Sequence, residues 1–381
     1  MSNTTIHHVK EAVDVNLPDC WLPLEACLSV VGAAMLEDVD HCIGLILVGV
    51  PGGRKSTTLE LLGNSDPMMR INDFTPASFV THVASKRAAQ LQHIDLLPKI
   101  KHKVMIIPEL APMFGKRHED LIKEIAILTA VMDGKGYISS GGTHGLRGYE
   151  GDFRFNMIGA TTPLERRVWQ ALGKLSSRWI LYSLETASTE FKSLSEDFTL
   201  NKSMCQMMVD MFMDGFWQGY GVVKWNRTRD DEEMGKMLAS SAVSISAWRG
   251  LVVKQDQTGY NPPIIEAPDR LRETLYAIAR GHALLYGRTQ LDWEDVKFAT
   301  YLNETNMPED RLRVFRWIKE QQNDCMLRGG KPDGQYATSI NAYGAADAIG
   351  CGTTKAEGVL NELAALGVLK QDDLFRYRRV I

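Results

Sequence analysis

A glycine-rich segment at residues 49–56 (GVPGGRKS) carries the residue types that bind phosphate groups. Glycines let backbone N–H groups turn toward phosphate oxygens, and the start of a following helix adds positive potential. Lys55 would reach the β- and γ-phosphates of a nucleotide, and the Ser56 hydroxyl would ligate a magnesium ion. The segment therefore predicts a site for ATP and Mg²⁺, made by Gly49, Pro51, Gly52, Gly53, Arg54, Lys55, Ser56 and Thr57.

The flanking sequence supplies the context that such a loop requires. The apolar run that leads into it, residues 44–49, predicts a buried strand, and residues 55–62 predict a helix. One residue departs from the pattern G-x-x-x-x-G-K-[ST], because Arg54 stands where the last glycine is usual. A bulky residue is tolerated there only if its side chain points outward and its backbone keeps an allowed conformation.

A second buried strand, Val104–Ile107, leads into Pro108 and Glu109, about 50 residues after the loop. Nucleotide-binding domains of this kind place an aspartate for Mg²⁺ and a glutamate for the attacking water here. Pro108 replaces the aspartate, whereas Glu109 keeps the place of the general base. Two interpretations follow. Either Mg²⁺ is held by Ser56, phosphates and water, which retention of Glu109 favours, or hydrolysis is weak and the chain is an ATP-binding switch.

Strands that alternate with helices predict an α/β fold with a parallel sheet over the first half of the chain. Thr75 and Pro76 predict the start of a helix that runs to about Gln92. Residues 137–140 and 153–160 predict two strands joined by a glycine-rich tip. From about residue 185 the pattern becomes helical, and the last 45 residues have the order helix, turn, helix and short strands, typical of a winged helix.

Length and composition bound the possible classes of protein. The 381 residues carry a formal charge of −4, with 44% hydrophobic and 24% charged residues, which suits a folded chain of two or three domains. The first 19 residues lack the pattern of a signal peptide, and the longest apolar run is too short to cross a membrane. The six cysteines are scattered, with no C-x-x-C pair, so we expect free thiols in the cytoplasm.

With the loop and Glu109 in place, the chain resembles the AAA+ ATPases, and in particular the motor domains of minichromosome-maintenance (MCM) helicases. Residues 158–163 (IGATTP) are similar to the sensor 1 strand end, with Thr162 at the position usually held by asparagine. Residues 175–179 (LSSRW) are similar to an MCM segment that places Arg178 at the arginine finger. Residues 268–283 resemble the MCM lid helix and place Arg270 at sensor 2, with Arg272 as the alternative.

The resemblance covers residues 40–185 and 265–381, and it leaves residues 187–260 unassigned. It implies an AAA+ P-loop parallel sheet flanked by helices, then an all-α lid and a C-terminal winged helix. The implied divisions are a helical lead-in at 1–40, the ATPase core at 41–185, the lid with an unassigned insertion at 186–305, and the linker helix and winged helix at 306–381. It also implies a hexameric ring in which Arg178 acts on the neighbouring subunit's site and Arg270 acts in its own chain.

A DNA partner is expected from local charge. Residues 135–178 hold seven Lys/Arg against three Asp/Glu, and residues 98–118 hold five against one. In the AAA+ branch that contains MCM proteins, a hairpin placed before sensor 1 projects into the ring's pore. The predicted hairpin tip carries His144 and Arg147, which suit contacts to a phosphate backbone.

The C-terminal helices and strands are more ambiguous. Lys355 and the wing residues Arg376 and Arg378 would contact DNA, but Glu357 and Glu362 leave a protein-docking role open.

These observations lead to two hypotheses. The first is an ATP-hydrolysing oligomeric motor on DNA, an MCM-like helicase or translocase in the replication of a mobile element or phage. The alternative is an ATP-binding switch, or a filament-forming regulator of DNA transposition or recombination, with weak hydrolysis, which Pro108 and Arg54 favour. Neither hypothesis requires a membrane.

Overall fold

The computed structural model describes residues 4–63, 65–82, 88–140, 145–175, 178–184, 198–255, 259–327, 339–371 and 377–379. The strands are β1 Gly44–Val48, β2 Met68–Arg70, β3 Val104–Ile107, β4 Gly136–Ser140, β5 Leu146–Glu150, β6 Asn156–Thr161, β7 Trp179–Ser183, β8 Ser339–Ile340, β9 Leu369–Gln371 and β10 Tyr377–Arg379. The helices are α1 Ile6–Asn16, α2 Trp21–Ala34, α3 Lys55–Leu61, α4 Ala88–Gln92, α5 Leu96–Ile100, α6 Ala111–Phe114, α7 His118–Val131, α8 Arg166–Leu175, α9 Phe198–Phe216, α10 Glu232–Trp248, α11 Asp269–Leu285, α12 Trp293–Glu304, α13 Glu309–Leu327, α14 Ala342–Ile349 and α15 Thr353–Ala365.

A parallel sheet with the strand order β2-β3-β6-β1-β7 forms the centre of the fold. Strand β1 is paired on both sides, and its last residue, Val48, lies opposite Thr161 of β6 and Ser183 of β7. Every residue of β1 is buried, as expected for a strand with helices on both faces of its sheet. The predicted α/β fold with a parallel sheet flanked by helices is confirmed at this level.

The two faces of the sheet enclose two separate hydrophobic cores. Because side chains alternate along a strand, Leu45 and Leu47 contribute to one core, and Ile46 and Val48 contribute to the other. The first core contains α1, α2 and α3 together with α9, α11 and α12, and the second contains α7 and α8. The predicted lead-in, ATPase core and lid therefore share a core on one face of the sheet.

Helices α2 and α11 pack closely because a glycine lies on each side of the contact. A Cβ atom on Gly281 would lie 2.0 Å from the Ser29 carbonyl oxygen, and one on Gly32 would lie 2.6 Å from the Gly281 carbonyl oxygen. Both distances are far below van der Waals contact, so no other residue fits without moving a backbone. This close contact holds α11 against α2, which itself packs on the sheet.

A buried polar network joins the same helices to α12. The His282 ring of α11 lies between Asp295 of α12, at 2.6 Å, and Glu25 of α2, at 3.3 Å. Tyr286 donates a hydrogen bond to Glu25, and Arg288 pairs with Asp295. Burial lowers the pKa of His282, but hydrogen bonds to both carboxylates outweigh that effect, so the pKa is raised overall.

The C-terminal region has a third hydrophobic core. Trp248 at the end of α10 packs edge-on against Phe315 of α13, and α14 and α15 complete the cluster. Helices α14 and α15 are joined by a turn in which Gly350 takes a left-handed conformation. Strands β8, β10 and β9 form a small antiparallel sheet beside them. The predicted order of helix, turn, helix and strands is present.

Two predictions about the first half of the chain were wrong in detail. The second arm of the hairpin is β5, Leu146–Glu150, whereas the predicted arm at 153–160 contains β6 of the main sheet. Thr75 and Pro76 begin a single 3-10 turn, Pro76–Ser78, and the next described helix is α4, Ala88–Gln92. Gly136 and Gly148 allow the tight β4–β5 pairing, because a Cβ on either would collide with the opposite backbone.

Among the described residues, no helix is both long and apolar enough to cross a membrane.

The His282 network predicts a specific pH dependence of stability. The folded pKa lies above the unfolded value, so the stabilisation is complete below the unfolded pKa, near 6.5, and is lost as pH rises through the folded pKa. We expect the gap in free energy of unfolding between the wild type and His282→Gln to be larger at pH 6 than at pH 8.5. Urea unfolding at both pH values measures this gap, and a gap that grows with pH would contradict the assignment.

Candidate nucleotide site

The glycine-rich loop connects the buried end of β1 to the start of α3. Gly52 has φ +79°, which favours glycine, and Arg54 directly precedes α3 with φ +58° and ψ +9°. A residue with a Cβ in this left-handed region costs about 1–2 kcal/mol. The loop therefore adopts at Arg54 the conformation for which glycine is usual at that position.

The Arg54 side chain differs from the expectation that it points outward. Its Nε lies 3.4 Å from a carboxylate oxygen of Asp19, and its guanidinium also contacts the Cys20 thiol. Only 18% of the side chain is exposed, and Nη1 is buried without a hydrogen-bond partner. The side chain thus folds back on the segment before α2, which leaves the open side of the loop clear of its bulk.

Lys55 is the first residue of α3, and its side chain folds back into the preceding glycine-rich loop. It is 6% exposed, and Nζ donates hydrogen bonds to the carbonyl oxygens of Gly49, at 2.7 Å, and Val50, at 2.8 Å. Burial lowers the pKa of Lys55, and the negative charge of Glu109 opposes that shift. An ammonium group held only by neutral carbonyl oxygens can exchange them for phosphate oxygens, which are stronger acceptors.

Glu109 follows β3 on the same edge of the sheet. Its carboxylate is exposed and accepts a hydrogen bond of 2.9 Å from the Ala111 amide. The Leu110 amide donates to the Ala160 carbonyl, at 2.7 Å, which ties this turn to the end of β6. The carboxylate is therefore accessible to solvent and electrostatically coupled to Lys55, as a residue that polarises water requires.

The end of β6 contains a residue that sequence reasoning missed. Thr161, rather than Thr162, is the buried residue opposite Val48, and its carbonyl accepts from the Gly49 amide at 3.2 Å. The Thr161 hydroxyl is buried and has no hydrogen-bond partner, whereas Thr162 is partly exposed. Side-chain alternation does not distinguish the two threonines, because β6 is buried at every position, and Thr162 follows the end of the strand.

The residues present fit Mg²⁺ with a mostly nonprotein ligand set. Ser56 is exposed in the first turn of α3, and Thr57 beside it is partly exposed. No group of three or more His, Cys, Asp or Glu residues suited to a metal occurs in the part of the chain that the structure describes. Ser56 would thus be the protein ligand, with phosphates and water completing the shell, as Mg²⁺ tolerates.

Two predicted arginines come together at the opposite edge of the sheet. Arg178 precedes β7, pairs with Asp133, and is 7% exposed. An Arg270 nitrogen lies 3.8 Å from the same Asp133 oxygen. The Arg178 carbonyl accepts from the amide of Gly44, the first residue of β1, so this cluster is a strand length, about 13 Å, or more from the loop. The structure does not bring Arg270 to Lys55 in one chain, because α11 begins at the amino edge of the sheet.

Arg147 is not a free cation at the hairpin tip. It lies within β5, donates to the Thr81 carbonyl, and pairs with Asp95, which is fully buried. Tyr149 also donates to Asp95, at 2.5 Å. Burial alone would raise the pKa of Asp95, but these hydrogen bonds lower it overall. Arg147 therefore anchors the hairpin to the core, and His144 lies outside the described residues.

The C-terminal candidates are only partly described. Lys355 is exposed in the first turn of α15. The Arg378 backbone lies in β10, opposite Ser339 and Lys370, and Arg376 lies outside the described residues. Glu362, one of the two acidic residues that left a protein-docking role open, is 5% exposed and pairs with Arg166 and Arg311.

Removing Arg147 should destabilise the fold. Arg147→Ala leaves the Asp95 carboxylate buried without its cation, so we expect a loss of about 2–3 kcal/mol in free energy of unfolding. Lys99→Ala, in the exposed last turn of α5, is the control and should change stability little. Urea unfolding measures both variants, and an unchanged midpoint for Arg147→Ala would mean that this pair does not anchor the hairpin.

Comparison with known proteins adds no assignment to this geometry. No model of a known protein family matches the chain, and no curated protein matches it. Function is therefore argued from the loop, the strand ends beside it and the arginine pair at the opposite edge.

Proposed function

We propose that the chain is an ATP-binding, Mg²⁺-dependent ATPase of the AAA+ type that works as an oligomer on DNA. One observation carries the proposal. A glycine-rich loop with a buried lysine joins a fully buried central strand to a helix, at the carboxyl edge of a parallel sheet. In open α/β sheets, ligands bind at this edge where the strand order changes direction, and β1 lies between β6 and β7 at such a point.

Different residues of the loop would bind different parts of the nucleotide and its metal ion. Backbone amides of residues 52–56 and the start of α3 would receive the phosphates, and Lys55 would turn from its loop carbonyls toward their charge. Ser56 would hold Mg²⁺, which neutralises phosphate charge when it is bound. Asp19 supports this arrangement indirectly, because it retains the Arg54 side chain behind the loop.

Hydrolysis would depend on the neighbouring strand ends. Glu109 would accept a proton from the attacking water, or orient it, at an exposed position whose charge reaches Lys55. The unpartnered Thr161 hydroxyl, with Thr162 beside it, would provide the polar contact expected of sensor 1. Proline at position 108 leaves no second carboxylate at the end of β3, so Mg²⁺ would depend on Ser56 and its other ligands.

The arginine pair supports an oligomer. Arg178 and Arg270 lie at the edge of the sheet remote from their own loop, so they would serve the nucleotide of an adjacent chain. This placement is the one an arginine finger in trans requires, and it moves the proposed role of Arg270 from its own chain to its neighbour's. Arg178 would have to exchange Asp133 for the nucleotide, because it is now buried against that carboxylate.

The action on DNA is proposed from local charge and from the hairpin. The β4–β5 hairpin forms its own two-stranded sheet between α7 and β6, the position occupied by a pore hairpin in MCM-like motors. Within this proposal, the protein is a helicase or translocase in the replication of a mobile element or phage. The second candidate, an ATP-binding switch or filament-forming regulator of transposition or recombination, is favoured by Pro108 and by the left-handed Arg54.

Turnover measurements separate the two candidates. We expect Lys55→Ala to abolish ATP binding, and Glu109→Gln to bind ATP but to hydrolyse it roughly 10²–10⁴-fold more slowly, because the general base is lost. Glu119→Gln, an exposed carboxylate on α7, is the matched control. ATPase assays with and without single-stranded or duplex DNA measure the effect. Wild-type protein that binds ATP but does not turn over under any condition would favour the switch.

Mixing inactive variants tests the trans assignment of Arg270. Arg270→Ala keeps an intact loop and Lys55→Ala keeps an intact arginine pair, so a mixed oligomer contains some complete sites. We expect each variant alone to be inactive and an equimolar mixture to regain roughly a quarter of wild-type turnover. A mixture of Lys55→Ala and Glu109→Gln is the control and should regain none, since both residues serve the same chain's site. No recovery with Arg270→Ala would contradict the assignment.

A further inference from the structure

A cleft separate from the glycine-rich loop opens between the α/β core and the C-terminal region. Its volume is about 470 Å³, within the range of small-molecule sites. One wall comes from residues 164–170, around the start of α8, and another from residues 249–252, directly after α10. The starts of α13 and α15 close the remaining sides. The cleft therefore contacts four segments of the chain that are separate in sequence.

Most of the cations in this cleft already have carboxylate partners. Glu362 of α15 pairs with Arg166 of α8 and with Arg311 of α13, and Arg313 pairs with Glu309. Arg311 also donates to two backbone carbonyls after α10, at 2.8 Å each. These pairs hold the walls of the cleft together.

Arg249 also has a carboxylate partner, but it keeps an unused hydrogen-bond donor. Its side chain is 5% exposed, and its Nε lies 3.3 Å from a Glu266 oxygen, but Nη1 is buried without a hydrogen-bond partner. Burial lowers the pKa of Arg249, and the Glu266 charge only partly compensates. A buried guanidinium with an unused donor is costly unless an acceptor reaches it, so it marks a position where an anion would be stabilised.

A second cation stands at the mouth of the cleft. Lys355 is exposed in the first turn of α15, and it lines both this cleft and an adjoining one of about 470 Å³, as Arg166 does. Among the described residues, Lys355 makes no salt bridge. The start of α15 lines the adjoining cleft through Thr354 and Lys355, and the amino end of a helix adds positive potential there.

Apolar groups form another part of the lining. Leu164, Leu251 and Val252 supply aliphatic surface, and the indole of Trp169 is partly exposed there. A planar organic group would pack against such a surface while an attached anion reached the cations. A cleft that combines apolar surface with one cation that keeps an unused donor, Arg249, and one exposed cation, Lys355, is therefore suited to an amphiphilic anion rather than to an inorganic ion.

We propose that this cleft binds a phosphate monoester of about mononucleotide size, with the phosphate at Arg249 and Lys355 and the base against Trp169. Its occupant would contact both the α/β core and the C-terminal region, because Trp169 lies in α8 and Lys355 lies in α15. The site is independent of the proposed ATPase activity, since none of its lining residues belongs to the glycine-rich loop.

The test uses the full-length Lys55→Ala protein, which removes binding at the loop. Titration calorimetry with adenosine 5′-monophosphate measures the affinity of the cleft for a phosphate monoester. Adenosine, which lacks the phosphate, is the control ligand. We expect the monophosphate to bind, adenosine not to bind, and Lys355→Glu to weaken affinity roughly tenfold or more. Arg249→Gln should do the same, and Lys370→Glu, an exposed lysine of the same region, should not.

Two kinds of ligand carry such a phosphate monoester: free nucleotides and the 5′ ends of DNA. A 5′-phosphorylated dinucleotide and its 5′-hydroxyl form, titrated in parallel, distinguish them: a strong preference for the phosphorylated dinucleotide over the mononucleotide identifies the DNA end. Absence of binding for all phosphorylated probes would overturn the proposal. Binding that Lys355→Glu leaves unchanged would also overturn it, even if Arg249→Gln fails to fold.

Discussion

Strand β1 sets the geometry on which the rest of the structure depends. It is paired in parallel on both sides, and its register places Val48 opposite the last residues of β6 and β7. Parallel strands in register bring their carboxyl ends to one edge, so the loop after β1 meets the turns after β3 and β6 there. A shift of one residue would exchange the cores that Leu45 and Ile46 enter and would move the loop out of line with the ends of β6 and β7. The buried strand thus enforces the position of the loop.

Buried charges connect the remaining layers to this sheet. His282 joins three helices through two carboxylates, Asp95 fixes the hairpin through Arg147, and Glu362 joins the C-terminal region to α8 and α13. Each of these groups is buried, and a buried charge is costly unless it is paired and hydrogen-bonded. These charged residues therefore act as connections between elements, which is why Arg147 is not free to contact a ligand.

The central elements could be predicted because their signals are local. A continuous apolar run, a glycine-rich turn and a helical pattern in adjacent residues predict the strand, loop and α3 almost to the residue. The hairpin was harder, since residues 146–150 lack a strong strand pattern and the next apolar run belongs to the main sheet. The extent of the helix after Pro76 was missed for a related reason, because a proline start predicts where a helix begins but not how far it continues.

The sequence by itself determined the alternation of strands and helices that produces a parallel sheet, and it predicted the glycine-rich loop at residues 49–56 and the general-base candidate Glu109 as a nucleotide site. Tertiary structure alone decided that the arginine pair lies at the far edge of the sheet, that Arg147 is an anchor, and that Thr161 is the buried threonine. These outcomes depend on contacts between residues tens to hundreds of positions apart. Residue type and spacing fix what a side chain can do, but only packing fixes which partner it reaches and whether it remains available.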